Sequence, residues 1–254
     1  MSVKLHWSFD YTPSNGEEFV DELIATLEAA YGGGLPAGPA AEYTVLPNHW
    51  GGYARMAQRQ RLAFGSLSIR RTPGDNAVDY RVESCNMASG EALRLRFQTD
   101  TSPLRRLRGR WRIDARNDAP DPYNEFNAAG RVTDSGRIEV AAGGLTFVAE
   151  QLPDDRPLLC NWTLFDALPG LATLPGDAEF ALLEDLEKLR PRCRVRPLGA
   201  FGLPVAGTDL ELRGLTVFGE AQPPFHFWLD ARDNVAIASS TFNTYVMRNG
   251  AGAL

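Results

Sequence analysis

Apolar and polar residues alternate with a period of two through most of this chain, the signature of strands that turn one face to a core and the other to water. The clearest stretch runs from Phe225 to Met247. Phe225, Phe227 and Leu229 alternate with His226, Trp228 and Asp230, while Asp233 and Asn234 supply turn chemistry. Val235 and Ile237 restart an alternating run that ends in the β-favouring Thr244, Tyr245 and Val246. The whole reads as a β-hairpin.

The same alternation predicts a first strand from Val3, Leu5, Trp7 and Phe9. The period then changes. Phe19, Val20, Leu23, Ile24, Leu27 and Tyr31 fall on one face of a helix, with Ser14 and Glu17 spaced as a capping box and Gly32, Gly33 and Gly34 ending it. A meander follows: strands at residues 43–46, 61–70, 78–82, 93–97 and 107–113, then near 130–133, 137–140 and 145–150. Gly65 and Ser66 are expected to form a bulge in the second of these. Residues 158–174 predict a short helix capped by Asn161 and broken near Pro169. Asp177 is expected to cap a second helix over 180–189, with a strand as the alternative for its beginning. Strands at 194–198 and 210–217 lead into the closing hairpin.

Short strands at this rhythm, with turn signals between them, argue for a sheet or barrel rather than βαβ units. They predict an α+β fold, predominantly antiparallel β, in which a strongly curved sheet or partial barrel packs on one or two helices. At 254 residues the chain suits a single domain over residues 1–254, with a pseudo-boundary near 150–177 that would make it two tightly joined lobes.

Composition narrows function mostly by exclusion. No apolar run is long enough to span a membrane, and the first ten residues lack an export layout, so a soluble, cytoplasmic protein is expected. Cys85, Cys160 and Cys193 are widely separated and read as buried, inert thiols; no metal-ligand spacing, phosphate-binding loop or nucleophile motif occurs, so neither metal nor cofactor is expected. The net charge of −6 argues against nucleic acid as a partner. It hides an asymmetry, because residues 55–116 hold 14 arginines against 6 carboxylates.

The order of strand, amphipathic helix, long meander, helical interruption and closing hairpin resembles the curled antiparallel sheets of the bacterial lipoprotein-carrier and lipoprotein-like superfamily. The run 227–238, Phe-Trp-Leu-Asp-Ala-Arg-Asp-Asn-Val-Ala-Ile-Ala, resembles their closing hairpin. That resemblance implies non-enzymatic binding of an apolar or amphipathic small molecule within the curl. Trp50, Trp228 and Asp230 are the candidate ligand-binding residues. The alternative is an enzyme acting on a hydrophobic small molecule, with His49 or His226 as acid or base. His226 and Asp230 lie about 13 Å apart along one strand, so they form no dyad by themselves. A third reading is an interaction module for an acidic protein partner. Arg94 and Arg96 alternate with apolar residues, as do Arg108, Arg110 and Arg112, which would put all five on one sheet face.

Overall fold

A computed structural model describes residues 13–32, 40–48, 65–86, 91–116, 125–133, 135–143, 145–152, 156–176, 178–220, 222–241 and 243–248. The expected strand at 3–9, His49 and Trp50, and the start of the strand expected at 61–70 lie outside these residues. Helix α1 spans Pro13–Tyr31. The first eight strands form the meander: β1 Ala40–Pro47, β2 Gly65–Pro73, β3 Val78–Asn86, β4 Glu91–Thr99, β5 Leu107–Arg116, β6 Glu125–Val132, β7 Arg137–Ala142 and β8 Leu145–Gln151. The second half holds β9 Leu158–Cys160, helix α2 Leu164–Leu171, β10 Phe180–Glu184, β11 Lys188–Val205, β12 Thr208–Gly219, β13 Gln222–Leu229, β14 Val235–Ser239 and β15 Asn243–Arg248.

All fifteen strands among the described residues belong to one sheet. Its order runs from β8 down to β1, crosses to β15, and descends again from β15 to β9. The ladders are antiparallel except β9 beside β10, which α2 connects as a parallel crossover. The two halves join where β1 pairs with β15. The predominantly antiparallel α+β fold expected from the alternation is the one observed.

The sheet curls strongly without closing. Trp111 on β5 donates its indole N–H to the Leu186 carbonyl in the β10–β11 turn at 3.0 Å, although β5 and β10 stand ten places apart in the strand order. The concave face holds the larger core, drawn from β1 to β7 and from β9 to β15. Helix α2 fills its middle. The Phe165 ring packs edge-on to Tyr43 at 5.0 Å, Phe227 at 5.7 Å and Tyr245 at 6.0 Å. Asp166 ties the helix to the meander, accepting Arg71 Nε and the Tyr80 hydroxyl, each at 2.6 Å.

A second, smaller core lies on the convex face. There α1 sets Leu23 and Leu27 against Leu46, Leu203, Val205, Leu212, Trp228, Ile237 and Val246. The helical period of α1 therefore reads correctly, and it begins at Pro13, one residue before the expected cap Ser14. Because α1 covers this side, β13 is buried on both faces at its end: Phe227 and Leu229 enter one core and Trp228 the other.

Three expectations need correction. Residues 180–189 form no helix. Phe180, Ala181, Leu182 and Leu183 are all fully buried in a strand between β9 and β11, and Asp185 and Leu186 turn the chain at φ of 49° and 62°. Such a run, buried on both sides, carries no alternation, and Leu182, Leu186 and Leu189 mimic a helical spacing only by chance. Asn161 does not cap α2, because Thr163 holds the cap position while Asn161 bonds Asp185, and Pro169 lies within the helix. Gly65 and Ser66 pair in regular register without a bulge. The irregularity sits instead on β5 at Gly109, where φ is 64° and the register to β4 shifts.

Candidate functional site

One end of the curl is shut by the β4–β5 turn. Gly170 near the end of α2 lies so close to Pro103 that an added Cβ would sit 3.0 Å from its carbonyl oxygen. The opposite end, before the start of α2, is open. A depression of about 400 Å³ occurs there, a size that suits a small ligand. Its walls come from four places: Asn161 and Trp162 ahead of α2, the β10–β11 hairpin with Leu182, Asp185 and Arg190, the start of β13 from Gln222 to Phe225, and the β14–β15 turn with Thr241, Asn243 and Tyr245.

The floor is apolar. Trp162 is 5% exposed and stands edge-on to the Tyr245 ring, with centroids 6.4 Å apart. Its indole Nε1 is buried without a hydrogen-bond partner among the described residues. A donor of that kind costs free energy until an acceptor reaches it. Burial pushes the Tyr245 phenol up to about 12, so it stays protonated.

The rim is polar. Asn161 donates to Asp185 Oδ1 at 2.8 Å and accepts the Asp185 backbone N–H at 3.0 Å. Burial of its carboxyl raises the Asp185 pKa; the Asn161 bond opposes that shift and nearby Glu184 adds to it. The residue as a whole stands exposed at the turn, which keeps the effect modest. Arg190 is paired with Glu184 at 2.9 Å. Cys193, behind Gln222, has its thiol pushed up to about 12 by burial and is inert, as is Cys160; Cys85 is exposed, against the expectation of three buried thiols.

Of the residues singled out from sequence, His49 and Trp50 lie outside the described residues and the others lie away from the mouth. Trp228 is packed under α1. Asp230 is 4% exposed and organises the β13–β14 turn, accepting the backbone N–H groups of Arg232 and Asn234 and the Tyr31 hydroxyl at 3.1 Å. His226 is on the convex face in a lateral row with Thr216 and Ser239, and its Nδ1 is buried without a partner among the described residues. No three His, Cys, Asp or Glu side chains gather to hold a metal among the described residues. Arg94, Arg96, Arg108, Arg110 and Arg112 do share one exposed face. Glu83 lies 4.0 Å from Arg94, Asp100 3.9 Å from Arg108 and Asp114 2.8 Å from Arg112. Sequence reasoning missed the mouth, since its walls are gathered from residues 161 to 245 and no local motif links them.

His226 makes a pH-dependent contribution. Burial, with the Arg196 charge nearby, lowers its pKa from 6.5. The folded state thus favours neutral imidazole, a contribution complete above the unfolded pKa and lost as pH falls from there toward the folded value. Chemical denaturation from about pH 7.5 down to about pH 5.5 is expected to show a steeper loss of stability in the wild type than in His226→Gln. Parallel curves for the two proteins would show that the imidazole is not desolvated.

No protein-family model matches the chain, and no curated protein matches it. Among solved structures it is similar to a β-barrel-like protein of a domain of unknown function, DUF1849, from Brucella abortus, with 8% identity, a TM-score of 0.48, and coverage of 83% of this chain and 95% of that one. Among the described residues no helix is long and apolar enough to cross a membrane. The likeness to the lipoprotein carriers goes no further than a curled antiparallel sheet.

Proposed function

We propose that the protein binds an amphipathic small molecule, without chemical conversion, in the open mouth of the curl. The observation that carries this reading is Trp162, which lines the floor of the mouth and whose buried indole N–H has no acceptor among the described residues. An apolar portion of the ligand lies on Trp162, Phe225 and Tyr245, and the Trp162 indole turns to donate its N–H to an acceptor on the ligand. Asn161, Asn243 and the Asp185 carboxyl meet its polar part at the rim. An apolar floor with few convergent polar groups is the usual anatomy of a small-molecule site. The enzyme reading has less behind it. Phe225 lines the mouth and the adjacent His226 points to the other face of β13, so its imidazole does not meet a molecule held there.

Thr241 stands in the β14–β15 turn at the rim, half-buried. Thr241→Trp is expected to fill the mouth and weaken binding of a dodecyl-chain zwitterionic amphiphile roughly tenfold or more, a loss that corresponds to about 1.4 kcal/mol. Equilibrium dialysis against that amphiphile below its micelle concentration measures the effect. Binding that is unchanged in Thr241→Trp, with the fold intact, would place the ligand elsewhere or remove it.

A further inference from the structure

On the convex face of the meander, Arg70 pairs directly with Arg81, Arg81 with Arg96, and Arg96 with Arg112. Four guanidinium-bearing residues thus form one lateral row across β2, β3, β4 and β5, with strands spaced about 4.8 Å apart. Like charges directly opposite in a sheet repel, so such a row destabilises the free protein. Two members are neutralised along their own strands, Arg81 by Glu83 at 2.7 Å and Arg112 by Asp114 at 2.8 Å. Arg70 and Arg96 have no acidic partner among the described residues, nor has Arg110, which stands opposite Arg131. The irregular β5 at Gly109 adds shape to charge. A shallow depression of about 490 Å³ opens beside it; Arg81, Arg96, Arg110 and Arg112 line it, and so does Asp79, whose Oδ1 accepts the Gln98 amide at 2.8 Å.

We infer that this depression is a binding site for a soluble anion carrying two or more adjacent phosphoryl groups. Arginine's planar fork suits phosphoryl oxygens, and unpaired forks on neighbouring strands fit adjacent groups of one ligand. The outward positions of β2 to β5 are Ser, Thr, Asp, Glu, Arg, Gln, Cys and Ala, with no large apolar side chain. The face therefore lacks the apolar centre of a stable protein interface and the apolar anchor that fixes a protein to a lipid surface. This site lies on the other face of the sheet from the mouth and does not depend on it.

Inorganic pyrophosphate titrated calorimetrically into the full chain at low ionic strength is the test. One saturable site is expected, weakened roughly tenfold or more in Arg96→Gln/Arg110→Gln, as loss of charge-assisted bonds requires. Arg213→Gln, which touches only the exposed pair with Asp233, is expected to bind as the wild type does. Both changes in the double variant are at exposed positions, so its denaturation midpoint should hold or rise. The proposal is overturned by the absence of saturable heat, or by equal affinity in the double variant. It is overturned equally by sedimentation with phosphatidylglycerol vesicles that pyrophosphate does not displace, since the face would then serve a lipid surface.

Discussion

Replacing Trp111 by alanine is expected to lower the unfolding free energy by about 3–5 kcal/mol, the cost of emptying a large aromatic site in a core. The side chain is 3% exposed and does three things at once. Its ring fills the inner face of β5. It also lies over Gly130 of β6, where an added Cβ would collide with the indole ring, so the glycine is required by the ring above it. Its N–H reaches the Leu186 carbonyl and so links the meander to the far side of the curl. Trp111→Phe keeps most of the apolar surface and loses the hydrogen bond, so it should cost less, about 1–3 kcal/mol for a carbonyl left unpaired. Gly130→Val should approach the alanine effect by pushing the indole out. Denaturation midpoints at an unchanged m-value report all three, and a Trp111→Ala midpoint equal to the wild type would mean that the curl is not held there.

The second large effect belongs to Asp166. One carboxylate oxygen accepts both Arg71 and Tyr80, and the charged side chains of the pair are only 20% and 19% exposed. Burial alone would lower the Arg71 pKa, but the Asp166 charge and hydrogen bond more than offset it and leave it raised. Asp166→Ala strands a partly desolvated guanidinium and a phenol, at a cost of about 3 kcal/mol, the lower end for breaking a buried pair because some water still reaches it. The exposed Arg213–Asp233 pair is the comparison. Its arginine can be removed for about 0–1 kcal/mol. A double-mutant cycle on Asp166 and Tyr80 separates the two bonds, and additive effects would show that Asp166 acts only through Arg71.

What the sequence made legible follows from which surfaces face water. Strands β3, β4 and β5 each have one solvated face, so their alternation reads directly, and Tyr80, Phe97 and Trp111 are buried as the pattern requires. The arginines lie on the exposed face for the same reason. Where both faces are covered the signal fails. Residues 180–183 are apolar throughout, and nothing in their order separates strand from helix. Trp228 and Asp230 look like a functional face only until α1 is placed over one and the β13–β14 turn is drawn around the other. The mouth was illegible in a different way. Its polar rim depends on Asn161 turning toward Asp185 instead of capping α2, a choice made by tertiary contact and not by local propensity.

The two indole protons of Trp162 and Trp111 test the central proposal within one spectrum. Trp111 already donates to a carbonyl, whereas Trp162 has no acceptor among the described residues. On titration with the dodecyl-chain amphiphile below its micelle concentration, the Trp162 indole N–H resonance is expected to move downfield and saturate while that of Trp111 stays in place. A Trp162 resonance that does not move, or one that shifts only in step with Trp111, would contradict binding in the mouth.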